Sequence, residues 1–126
     1  MRVQVVALCL AALMLAAFAP GMTVREFLAS ADRLPQNATA VLRPEGRRLV
    51  DEVSTSVHAI RAEQAADVRA GRRPAYCIPA RGTGITPEGL LARLRAIPAS
   101  RRDITVHQAI REWMVERHPC GSAAVN

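Results

Sequence analysis

At 126 residues the chain has room for one small domain, and its apolar half is unevenly spread: 17 of its 63 apolar residues fall within the first 21. Leu, Ile, Val and Phe number only 23 over residues 22–126, which also hold 17 alanines. That is near the lower limit for a chain folding on its own core, and it excludes a large enzyme with a deep pocket and a membrane protein of many spans. The net charge of +6 comes from 17 arginines and no lysine against 11 acidic residues. The signs alternate along the chain, with no dense basic run interleaved with aromatics, so no nucleic-acid partner is expected.

The N-terminus reads as an export signal. Met1-Arg2 precedes an apolar run from Val3 to Ala19 broken only by Gln4, and the run ends in Ala17-Phe18-Ala19-Pro20-Gly21. A positive start, an apolar middle and small residues at −3 and −1 describe a cleavable signal peptide. Proline directly after a cut at Ala19 is unfavourable, so cleavage is expected after Gly21, giving a signal peptide of 1–21 and a mature domain of 22–126. The rival reading is an uncleaved anchor, because the run approaches the length that spans a bilayer. Cys9 lies within the run and leaves with it. Cys77 and Cys120 then remain, an even pair in an oxidising compartment, and a disulfide between them is expected. Closing a loop of about 44 residues contributes roughly 4 kcal/mol in the chain-entropy account.

Four helices and no strand are expected in the mature chain. Thr23-Val24-Arg25-Glu26 is a capping box, after which Val24, Phe27, Leu28, Ala31 and Leu34 share a face and Pro35 marks the stop. A second helix runs from Pro44-Glu45 to about Ala70, with a stripe of Leu49, Val50, Val53, Val57, Ile60 and Val68 that Gln64 interrupts. Arg47–Asp51 and Arg48–Glu52 are i,i+4 pairs on its outer side, and Gly71 is its C-terminal cap. After a loop at 72–85, Thr86-Pro87-Glu88 opens a third helix whose Leu90, Leu91, Leu94 and Ile97 face inward until Pro98. The fourth helix spans about 103–118, with Val106, Ala109, Ile110, Trp113 and Met114 inward and Pro119-Cys120 as its end.

Few residues carry chemistry. Cys77, His107, His118 and Cys120 have the composition of a zinc site. The two histidines, however, stand three helical turns apart, about 16 Å along a continuous helix, too far to share one ion. A Cys–His nucleophile needs a reduced thiolate, which export disfavours, and no Asp or Asn has the spacing of an orienting third member. Arg81-Gly82-Thr83-Gly84 lacks the ending of a phosphate loop and follows no strand. No catalytic residue, metal or cofactor is therefore expected. The most suggestive stretch is the loop Arg72-Arg73-Pro74-Ala75-Tyr76-Cys77-Ile78-Pro79-Ala80-Arg81. Arg72, Arg73, Tyr76 and Arg81 are of the types that anchor interfaces, and prolines reduce the entropy lost on docking. The competing reading packs Tyr76 and Ile78 on the core and leaves the arginines solvated.

The C-terminal part also carries an ordered set of residues: Cys77-Ile78-Pro79, Ile85-Thr86-Pro87-Glu88-Gly89-Leu90, Leu94, Pro98, Ala109-Ile110 and His118-Pro119-Cys120. This resembles the Rap/Tai family of type VI secretion immunity proteins, over about residues 76–120. The resemblance implies a small exported α-helical protein with the Cys77–Cys120 disulfide, often dimeric, that binds a peptidoglycan amidase and blocks its cleft without being an enzyme. The chain departs from the family pattern at Val57-His58-Ala59-Ile60-Arg61, which lacks the usual Cys, Tyr and Gly, and His118 stands where an aromatic is usual. The alternative expectation is a general periplasmic envelope factor, either a small helical chaperone or a protein drawn to acidic polymers through its arginines. Neither reading requires stable membrane insertion once the signal is removed.

Overall fold

A computed structural model describes residues 21–121; the expected signal peptide, apart from Gly21, lies outside the described residues. Four α-helices are present: α1 (Val24–Asp32), α2 (Pro44–Arg69), α3 (Pro87–Ala96) and α4 (Val106–Arg117). Short 3-10 turns cover Ala38–Leu42 and Ala99–Arg101. No strand occurs among the described residues, where the sheet-like pairing is confined to an isolated antiparallel bridge between Thr23 and Thr105. No helix among them is long and apolar enough to cross a membrane. The all-α architecture and the Cys77–Cys120 disulfide are both as the sequence led one to expect, the two Cα atoms lying 5.1 Å apart.

The helix ends follow from the local residues. Thr23 accepts the Glu26 N–H while the Glu26 carboxylate takes the Thr23 N–H, closing the capping box. That charge-assisted contact with Thr23 holds the Glu26 carboxyl below its ordinary value. Thr86 and Thr105 cap α3 and α4 in the same way, accepting from Gly89 and Gln108. At the end of α2, Gly71 has φ +70°, its N–H meets Val68 O, and the Arg72 N–H meets Asp67 O at 2.9 Å. This is the Schellman arrangement, which needs a residue free to adopt a left-handed backbone. The last helix is shorter than the expected 103–118, because Ala99–Arg101 closes its own turn and the residue whose side chain caps the helix is Thr105.

α1 and α4 exchange hydrogen bonds at their N-termini. The first helical amide of each has no partner within its own helix. Here Val24 N–H donates to Ile104 O at 2.9 Å and Val106 N–H donates to Met22 O at 2.8 Å, so each helix satisfies the other. Arg25 N–H adds a third bond, to Arg102 O. The core that forms above this junction draws Val24, Phe27, Leu28 and Ala31 from α1 and Leu90 and Leu94 from α3. Val106, Ala109, Ile110 and Met114 come from α4, with Leu49 and Ile60 from α2.

The stripe on α2 is narrower than its sequence suggests. Val50 and Val68 are exposed at 52% and 62%, whereas Leu49, Ser56 and Ile60 are buried. The Ala38–Leu42 turn lies against the N-terminal end of α2, and Gly46 is what permits it: a Cβ there would collide with the Ala40 carbonyl. Glu52 is not paired with Arg48 but accepts the Met22 N–H. The seven ion pairs among the described residues join other partners, so the Arg47–Asp51 pair is not formed either.

Two stability measurements check this packing. Gly46→Ala should lower the melting temperature, with a loss of about 1–3 kcal/mol from overpacking, although alanine is by itself the better helix former by about 1 kcal/mol. A variant as stable as wild type would show that the turn does not press on α2. Replacing both Cys77 and Cys120 by alanine should cost about 2–5 kcal/mol in chemical denaturation.

Candidate functional site

The loop between α2 and α3 contains a strap, residues 76–79, pinned along one turn of α2. Ile78 N–H donates to Gln64 Oε1 at 2.9 Å, and Gln64 Nε2 donates back to Ile78 O at 3.2 Å. One primary amide thus satisfies both backbone groups of a buried residue, as a neighbouring strand would. Arg61 donates to Pro79 O, and the Tyr76 hydroxyl lies 3.0 Å from Ile60 O and 2.9 Å from Glu63 Oε2. From the other side, Cys77 N–H donates to His118 O at 2.8 Å, beside the disulfide.

Tyr76 corrects the interface reading. Its side chain is 1% exposed, inside the core, and is not presented to a partner. Burial foremost, and then the Glu63 hydrogen bond, push the phenol far above its ordinary value, so it stays neutral. Arg111 makes a two-pronged contact with Glu63, with Nη2 at 2.7 Å, and its guanidinium lies 5.6 Å over the Tyr76 ring. The Arg111 hydrogen bond holds the Glu63 carboxyl below its ordinary value against the opposing effect of burial. Tyr76, Glu63 and Arg111 therefore form a clamp between the loop, α2 and α4.

The three loop arginines remain at the surface, with different duties. Arg72 pairs with Asp67 at 2.8 Å, and Arg73 donates to the Cys120 carbonyl. Arg81 is exposed and makes no hydrogen bond to another described residue. Beyond it, His118 Nε2 lies 2.8 Å from Thr83 O, a contact that requires the Nε2–H form of the ring. Arg117 stacks near Trp113 and lies so close to Gly84, at φ +73°, that a Cβ there would reach its Nη2 within 2.6 Å. Among the described residues no three His, Cys, Asp or Glu side chains gather as metal ligands; both thiols that the zinc composition would need are spent on each other.

A second surface feature was not anticipated. An open apolar groove of about 520 Å³ runs between α1, the segment after it and the start of α3, with Phe27, Ala31, Leu49, Leu90 and Leu91 on its floor and sides. Ala38 and Ala40 of the 3-10 turn line one wall, and the same turn exposes Val41 and Leu42 at 53% and 71%. The sequence signal was the run Ala38-Thr39-Ala40-Val41-Leu42, apolar but too short to read as an amphipathic helix.

Comparison with protein-family models, curated proteins and solved structures finds no match for this chain. The geometry can hold a loop rigid, present arginine at its surface and offer an apolar groove; His118, Tyr76 and the disulfide are engaged in fastening backbone.

Glu63→Gln tests the clamp. A carboxylate with a lowered folded-state pKa contributes stability above its unfolded value near pH 4.3, which is lost as pH falls through the folded value. The wild type should therefore outlast the variant by about 1 kcal/mol at neutral pH, a figure reduced because both partners are more than a third exposed. The difference should shrink in melts taken below about pH 4. Equal stability at pH 7 would remove the clamp from the account.

Proposed function

We propose that the mature chain is an exported, non-enzymatic binding protein, of the kind that neutralises a peptidoglycan amidase in the periplasm. The observation that carries this reading is the fastening of the 76–79 strap: the disulfide on one side and Gln64, Arg61 and Glu63 on the other. A loop held so firmly loses little entropy when it docks, which favours tight protein recognition. The ordered likeness of residues 76–120 to Rap/Tai immunity proteins supplies the kind of partner. Arg72, Arg73 and Arg81 are the groups proposed to meet it, Tyr76 supporting them from below.

The arginine distribution disfavours a polymer-binding envelope factor. Seven arginines are engaged in ion pairs, and others are spent on backbone carbonyls. A surface acting mainly as a polycation would leave more of them free.

The test uses the processed protein with purified amidases encoded beside its gene, measuring both binding and peptidoglycan hydrolysis. A stoichiometric complex that suppresses hydrolysis and persists in 0.5 M salt is expected; association that disappears with salt favours the polymer-binding alternative. Arg81→Glu, which disturbs no described internal bond, should weaken the complex at least tenfold, about 1.4 kcal/mol. Unchanged affinity in this variant and in the Arg72/Arg73/Arg81→Ala variant, with both folded, would move the site elsewhere.

A further inference from the structure

Met22 is where the described fold takes hold. Its carbonyl accepts the Val106 N–H, its side chain packs half-buried on the core, and its own N–H donates to Glu52 Oε1 at 3.2 Å. A Cβ built on Gly21 would stand 3.3 Å from that same oxygen. The Glu52 carboxylate therefore lies directly against the Gly21–Met22 peptide bond, and it has no ion-pair partner among the described residues. That bond is also the one the Ala19-Pro20-Gly21 ending marks for signal cleavage.

We propose that cleavage creates an ion pair the precursor lacks: the new α-ammonium of Met22, captured by Glu52. The inference rests on the reading of residues 1–21 as a cleaved signal. Hydrolysis by the export peptidase adds water across the C–N bond. Gly21 leaves with the carboxylate, and Met22 keeps the amine, which takes up a proton at neutral pH. The neutral amide donor beside Glu52 becomes a cation with three donors, and nothing in the fold has to move for the contact to strengthen.

Charged groups around this corner do not compete for the role. From α1, the Glu26 carboxylate is occupied by Thr23, at 2.9 Å from its N–H. From α2, Arg48 acts on Glu26, and Glu52 alone reaches the Met22 nitrogen. The α4 terminus brings Thr105 and Val106, neither of which titrates, while His107 acts on Glu63 instead.

An amine with a carboxylate partner in the folded state has a pKa raised above the ordinary range of about 7.7–8.0. Its contribution to stability is fully present below that range and disappears as pH rises through the raised value.

The experiment takes protein recovered from the periplasm. Intact mass and N-terminal sequencing should give Met22 as the first residue; another start overturns the proposal together with the cleavage reading. With Met22 confirmed, NMR titration of the α-amino group should give a pKa about half a unit or more above that in Glu52→Gln. Melts of the free-amine and N-acetylated forms give a second reading. The free amine should melt higher at pH 7, the gap should close by about pH 10, and it should be missing in Glu52→Gln. An amine that titrates at its ordinary value, or melts that do not separate the two forms, leaves the cleavage standing and overturns the ion pair.

Discussion

α4 is fastened at both ends, and the rest of the structure depends on that. At its start, the reciprocal bonds between Met22–Val24 and Ile104–Val106 tie it to α1. At its end, the His118 carbonyl receives Cys77 N–H, and Cys120 is joined to Cys77. Between these points Val106, Ile110 and Met114 are completely buried. The N-terminal and central segments are thereby brought to one helix at opposite ends, about 18 Å apart for a 12-residue helix. A core so poor in large side chains needs such cross-ties, because its burial alone leaves little margin over chain entropy.

The arginines contribute a second set of ties. Arg102 donates to the carbonyls of Ile97 and Arg95, the free acceptors at the C-terminal end of α3, and Arg25 reaches Ala99 O. Arg61 and Arg73 do the same for Pro79 and Cys120. A guanidinium presents several donors in a fixed plane and is never lost to deprotonation, so it suits carbonyls in irregular backbone. Four arginines of an all-arginine basic set thus serve irregular backbone, while others pair with carboxylates between helices.

Much of the fold was legible because caps are local. Thr23 with Glu26, Thr86 before Pro87, and Gly71 after the last turn of α2 each act within six residues, so the sequence displays both partners at once. What escaped was non-local. Periodicity marks Val50 and Val68 as apolar but does not show what packs above them, and among the described residues both stay largely exposed. Gln64 looked like a flaw in the stripe, yet it is the residue that holds Ile78, 14 positions away. Tyr76 has the side chain of an interface anchor, and only its pairing with Glu63 and Arg111 reveals a clamp built on a buried ring. Gly46 gave no sign at all, since a glycine within a helix reads as a weakness until the Ala40 carbonyl is seen against it.

The same division bears on function. Several polar groups here hold backbone in place: the two cysteines close the loop, His118 meets Thr83, and Tyr76 and Glu63 hold the strap. The surface features that stand out are Arg81 on the rigid loop and an apolar groove beside Val41 and Leu42. Rigid surfaces of this kind gain affinity by preorganisation rather than by area. A protein acting by occlusion needs that property most, because a flexible loop would lose in ordering entropy what its contacts gain. The cross-ties that compensate for a thin core are therefore the same ones that would make the loop an effective plug.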